Sequence, residues 1–165
     1  MNLIVIPARL KSSRLNEKLL QKIGGREIIH WTLDQAFKVK NISKVVVAAD
    51  DVKIAKIVES RVEVFMTDPK LPSGTDRVAS ILTHFPTVSK GVNFQADEPF
   101  LPPEHIENLI EKMPSWADVG TLIYPMAKEN FDNPNSIKVV ISKNNEALYF
   151  SRLGIPFNSD SKWHH

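Results

Sequence analysis

The chain has 165 residues, 42% hydrophobic and 24% charged, with a formal net charge of +2 and no cysteine. That length suits one domain with a real core; the near-balanced charge gives no general pull toward nucleic acid or anionic lipid, and disulfides and thiolate metal sites are excluded. No apolar run approaches the ~20 residues of a membrane helix, and Asn2 is followed by only four apolar residues before Pro7, so a soluble cytoplasmic protein without a signal peptide is expected.

Leu3, Ile4, Val5 and Ile6 form a short apolar run, broken by Pro7, that reads as a fully buried strand. A polar loop with four cations follows: Arg9, Lys11, Arg14 and Lys18. Open α/β sheets place anionic ligands at the carboxyl ends of such strands. The spacing matches neither G-x-x-x-x-G-K-[ST] nor G-x-G-x-x-G, which counts against a P-loop nucleotidase and a dinucleotide-binding dehydrogenase. Either the loop is a solvated basic surface, or Arg9, Arg14 and Lys18 converge on a triphosphate, Arg as planar forks and Lys as a mobile point charge.

Gly24-Gly25 marks a turn, and the spacing of Ile28, Ile29, Trp31, Leu33, Ala36 and Phe37 predicts a helix over 26–38. A second buried strand covers 45–49 and ends at Asp50-Asp51, where Asp50 is positioned to cap a helix over 52–60. A third strand is expected at 62–66. This alternation means a parallel sheet with helices on its faces. Ser73-Gly74-Thr75-Asp76-Arg77 then precedes an apolar helix at 78–85, with Ser73 and Thr75 as candidate caps and Asp76 suited to the first-turn dipole.

A fourth strand over 91–95 ends at Ala96-Asp97-Glu98-Pro99. Two carboxylates past a buried strand either cap the helix expected over 103–113 or hold Mg²⁺, which prefers one or two carboxylates plus phosphate oxygens. Residues 117–124 read as another strand. Residues 137–141 and 147–150, around Asn144-Asn145, read as a hairpin that makes the sheet mixed. Five His residues are scattered apart from the terminal pair His164-His165.

Ile6-Pro7-Ala8-Arg9-x-x-Ser12-x-Arg14-Leu15-x-x-Lys18 resembles the amino-terminal signature of the sugar-acid cytidylyltransferases. Ser73-Gly74-Thr75-Asp76-Arg77 and Val92-Asn93-x-Gln95-Ala96-Asp97-Glu98-Pro99 are similar to two further motifs of that family. The family usually has Pro, Gly and Pro where this chain has Asn16, Glu17 and Leu19, and Gly where it has Ala96; Glu17 thereby sets a negative charge close to the expected phosphate site.

The resemblance implies a Rossmann-like nucleotidyltransferase fold, an α/β three-layer sandwich with a mostly parallel mixed sheet and helices on both faces. One domain would span 1–165. It implies transfer of a cytidylyl group from CTP to a 3-deoxy-2-keto sugar acid. The expected acceptor is 3-deoxy-D-manno-octulosonate (Kdo), giving CMP-Kdo for lipopolysaccharide biosynthesis, with Mg²⁺ as cofactor and a homodimer as the assembly. Arg9, Arg14 and Lys18 would hold the triphosphate, and Asp97 the metal. Ala8, Ser73 and Arg77 would contact nucleotide, and Gln95 the sugar acid. Asn135, Lys138 and Arg152 also fall in motifs of the resembling family and are expected to be structural or peripheral. The family carries a further carboxyl-terminal segment with a second metal-binding Asp. A nucleotide-binding fragment with little activity, or an enzyme for a nonulosonic acid or 8-amino-Kdo, are therefore the alternatives.

Overall fold

Strand β1 (Asn2–Ala8) is buried at every position from Leu3 onward. A strand with both faces out of water has to be covered by helices on both sides. The computed structural model describes residues 1–11 and 17–156, and its contacts divide the chain into two compact units, Met1–Ser115 and Trp116–His165.

In the first unit β1 is followed by a 3-10 turn (Lys18–Leu20), a short antiparallel pair β2 (Lys22–Ile23) and β3 (Arg26–Glu27), and helix α1 (Ile28–Ala36). Next come β4 (Lys44–Ala49), α2 (Val52–Val58), β5 (Glu63–Met66), α3 (Gly74–Leu82), β6 (Lys90–Asn93) and α4 (Pro103–Lys112). The sheet order is β5-β4-β1-β6, and every pairing is parallel. Side-chain alternation splits the core in two. Ile4, Ile6, Ala8, Val47 and Ala49 pack with Ile29, Leu33, Ile54 and Ile106 of α1, α2 and α4. Leu3, Val5, Val46 and Ala48 face Val78 and Ile81 of α3. This is the expected three-layer arrangement.

Pro7 does not end the strand. The amide nitrogen of Phe94 donates to the Val5 carbonyl, so odd-numbered residues of β1 point their polar groups toward β6, whose ladder stops at the Val5–Asn93 pair. The N–H that proline lacks would face β6, and it is on that side that the ladder ends, while Pro7 and Ala8 continue the register with β4.

Two helices start elsewhere than expected. Arg26 and Glu27 are taken up in the β2–β3 pair, whose turn uses the positive φ of Gly24 and Gly25 (60° and 81°), so α1 begins at Ile28. Helix α3 begins at Gly74 because Ser73 is its cap: the Asp76 amide donates to Ser73 Oγ at 3.1 Å.

The second unit holds the hairpin β7 (Lys138–Ile141) and β8 (Ala147–Ser151) as a separate antiparallel sheet, so the four-stranded sheet stays parallel throughout. Residues 117–124 form no ladder among the described residues. Their apolar pattern supplies a face, but a strand exists only where a neighbour takes its hydrogen bonds. Lys138, almost fully buried, donates to the carbonyls of Asn133, Ser136 and Arg152 at 2.7, 2.9 and 3.0 Å, and Arg152 Nη1 donates to the Pro134 carbonyl at 2.9 Å. Both side chains tie this unit's own backbone together.

Candidate active site at the switch point of the sheet

From β1 the chain crosses to β4 on one side, and β6 later enters on the other, so the direction of winding reverses between β1 and β6. Parallel strands diverging in this way leave a crevice at their carboxyl ends. A cavity of about 280 Å³ lies there, lined by Pro7, Arg9, Lys11, Lys18, Leu19, Gly74, Gln95, Ala96 and Asp97. Four of the expected site residues, Arg9, Lys18, Gln95 and Asp97, are thus brought together. Arg14 lies outside the described residues, as do His164 and His165.

Beyond β6 the chain turns over residues 95–98, where the Glu98 amide donates to the Gln95 carbonyl at 3.2 Å. Val92, Phe94 and Ala96 are buried while Asn93, Gln95 and Asp97 are exposed, and Gln95 and Asp97 both line the cavity. Gln95 Nε2 donates to Asn93 Oδ1 at 2.8 Å. Lys18 Nζ donates to Asp97 Oδ2 at 2.6 Å, with both side chains about 40% exposed. Arg9 Nη2 donates to the Leu71 carbonyl, and its Nε is buried without a protein partner. Ala96 is not among the described residues with positive φ, so the backbone there has no need of glycine. Glu17, in the family's Gly position, is left-handed (φ 51°) and its carboxylate is taken by Lys53 at 2.7 Å.

Three residues expected to touch nucleotide are not among those lining the cavity. The Ala8 side chain is fully buried in the core, and its carbonyl accepts the Asp50 amide at 3.2 Å. Ser73 is engaged as the α3 cap, its hydroxyl also donating to the Asp76 carboxylate. Arg77 is wholly buried, donating to Thr67 Oγ1, with Nη2 3.6 Å from Asp50 Oδ2. Burial pushes its guanidinium below the usual value, with Asp50 acting the other way and Arg9 adding to the depression. Asp50 does not cap α2; Asp51 does, accepting the Lys53 amide at 2.8 Å. Asp50 instead accepts the Leu10 amide at 2.9 Å and so ties down the start of the cationic loop.

Two contributors went unnoticed in the sequence. Gly74, the first residue of α3, borders the cavity beside Pro7 and Gln95. Thr32 of α1, fully buried, donates to the Ala96 carbonyl at 2.8 Å. The signal for Thr32 was available: it sits on the apolar stripe of Ile28, Ile29, Leu33 and Ala36, where a hydroxyl needs a partner.

A parallel β5-β4-β1-β6 sheet whose switch-point crevice sets cations against a carboxylate defines an α/β scaffold of the nucleotidyltransferase class. The sequence profile of the family described as "Cytidylyltransferase" matches residues 3–164. The chain belongs to that family.

It is 40% identical over 161 residues to the 3-deoxy-manno-octulosonate cytidylyltransferase of Chlorobium chlorochromatii, covering 94% of this chain and 64% of that protein. Identity to the protein of the same name from Francisella tularensis subsp. novicida is 44% over 162 residues, covering 93% and 64%. The chain therefore spans about 64% of the length of these relatives. Among solved structures, CMP:2-keto-3-deoxy-manno-octonic acid synthetase complexed with CTP superposes with a TM-score of 0.88 at 32% identity, over 99% of this chain and 70% of that one. A 4-diphosphocytidyl-2C-methyl-D-erythritol synthase shares the fold at a TM-score of 0.61 and 19% identity, over 92% of this chain and 68% of that one.

Proposed function

We propose that the protein couples CTP to Kdo, releasing pyrophosphate and forming CMP-Kdo for lipopolysaccharide biosynthesis. The observation that carries this reading is that Arg9, Lys11 and Lys18, from the loop after β1, and Gln95 and Asp97, from the segment after β6, surround one cavity. The similarity to named Kdo cytidylyltransferases supports the choice of nucleotide and acceptor. The family match runs through both compact units, which supports one functional domain.

In this reading Arg9 and Lys18, with Arg14 between them in the sequence, hold the triphosphate. Gln95 orients the sugar acid. Ser73, by capping the start of α3 at the cavity rim, presents the helix's first amides to the nucleotide. Ala8 and Arg77 act from behind the site, Arg77 by supporting Asp50 and through it the loop. The anomeric hydroxyl oxygen of the sugar acid bonds to the α-phosphorus as the bridging P–O bond breaks. Pyrophosphate takes the electron pair, and the hydroxyl proton passes to solvent. Such transfers depend mainly on positioning and charge stabilisation.

Asp97 fits a hard divalent cation: it is a half-exposed oxygen donor that already accepts the Lys18 ammonium. Mg²⁺ held by Asp97 would neutralise phosphate charge. Mg²⁺ is commonly held by one or two carboxylates, with phosphate oxygens and water as its other ligands. The same reading includes a homodimer and a cytoplasmic location; no described helix is long and apolar enough to cross a membrane.

Pyrophosphate release with Kdo and each of the four nucleoside triphosphates tests the proposal. CTP-selective, Kdo-dependent release is expected. Tight CTP binding without release would assign nucleotide binding alone, and equal use of a nonulosonic acid would move the acceptor.

A further inference from the structure

Among the described residues, Thr32 lies in the hydrophobic layer between α1 and the sheet, and none of its surface reaches water. A hydroxyl there is costly unless it is bonded. Its Oγ1 is 2.8 Å from the Ala96 carbonyl and 3.4 Å from that of Ile28. It has one proton to give, and the shorter contact takes it. The Ala96 carbonyl lies beyond the last paired residue of β6, Asn93, where no strand ladder holds it.

That carbonyl shares a rigid peptide plane with the nitrogen of Asp97. Fixing the Ala96 oxygen against α1 therefore fixes the peptide from which the Asp97 Cα, the root of its side chain, departs. The plane cannot rotate without breaking the Thr32 bond inside an apolar layer. Valine would pack in the same space and supply no donor.

We propose that Thr32 is a positioning residue for Asp97, holding its carboxylate toward the cations of the cavity and toward the metal. This rests on the reading of Asp97 as the metal-holding acid. Partners one bond removed from a ligand change metal affinity by about 10–100-fold when lost.

The experiment compares the full chain with Thr32→Val and Thr32→Ser, using Mn²⁺ binding in the presence of CTP, followed by electron paramagnetic resonance, and the amide resonance of Asp97 in metal-free protein. Thr32→Val is expected to weaken Mn²⁺ binding about tenfold or more and to shift the Asp97 amide, whereas Thr32→Ser stays near the parent in both. Should Thr32→Val fail to fold, Thr32→Cys, a much weaker donor, takes its place. Unchanged Mn²⁺ binding in Thr32→Val, or equal losses in Thr32→Ser, would overturn the inference. A parent chain that binds no Mn²⁺ with CTP overturns the reading of Asp97 and this inference together, and is told apart because the parent itself is then silent.

Discussion

Lys18 Nζ stands 2.6 Å from Oδ2 of Asp97, 79 residues further along the chain. In the proposed reaction each would exchange this partner for another: phosphate oxygens for the ammonium, a divalent cation for the carboxylate. Because both are about 40% exposed, the pair contributes no more than about 1 kcal/mol to folding. Its loss during turnover is therefore cheap. Asp97→Asn and Lys18→Met are each expected to lower kcat/KM by the equivalent of about 2–4 kcal/mol while shifting Tm little. Comparable losses in both, read by pyrophosphate release and thermal melts, would return the pair to a structural role.

Asp50 presents the opposite case. Its carboxylate is only 9% exposed, accepts the Leu10 amide and faces the wholly buried Arg77. Asp50→Ala removes the carboxylate nearest that guanidinium, leaving Asp68 and the Thr67 hydroxyl to compensate, and a stability loss of about 3 kcal/mol is expected in urea unfolding. A loss below about 1 kcal/mol would show that Arg77 does not depend on it.

Gly74 opens α3 at the rim of the cavity. A methyl group there would sit 3.5 Å from Pro7 Cγ and 3.8 Å from Gln95 Nε2, ordinary packing distances. Gly74→Ala should therefore keep or raise Tm, since alanine favours a helix by about 0.5–1 kcal/mol. It should also raise the KM for CTP by filling the crevice. A lower Tm with an unchanged KM would place the nucleotide elsewhere.

His30 gives the fold a pH dependence. Burial, then the charges of Arg61 and Arg26, hold its imidazole below the usual value of 6.5. Between that value and the folded one, the unfolded chain binds the extra proton, so stability is complete above about pH 6.5 and declines as pH falls through the folded value. The nearby Asp34 carboxyl, lowered mainly by its bond from Arg26, loses its contribution only below 3.8 and leaves the neutral range to His30. Tm should drop between pH 7.5 and 5.5. His30→Asn, which keeps an acceptor in place of Nδ1 for Arg61, should flatten that slope.

The parallel sheet was legible because buried strands and amphipathic helices leave different periods in the chain, as Leu3 to Ile6 and Ile28 to Ala36 show. The cations and Asp97 were legible because carboxyl ends of strands collect ligands. What escaped was orientation. Whether Arg77 faces a substrate or the core depends on the face of α3 that meets the sheet, and whether Asp50 caps a helix or holds a loop depends on contacts 40 residues apart. In the second unit the hairpin around Asn144-Asn145 was legible, but its separation from the main sheet was not, and residues 117–124 have the composition of a strand although pairing is not written into one segment alone.

The strand that brings Asp97 to the cations pairs with β1 rather than with β5, its predecessor in the chain. During synthesis, β1, β4 and β5 can assemble before β6 emerges, and that partial sheet already owns Arg9 and Lys18 without an acid to face them. Joining β6 to β1 closes a far longer loop than any local pairing does, and carries the larger entropic cost. In the proposed reading the acid and the cations meet only through that closure, which makes the β1–β6 pairing the step that completes the site.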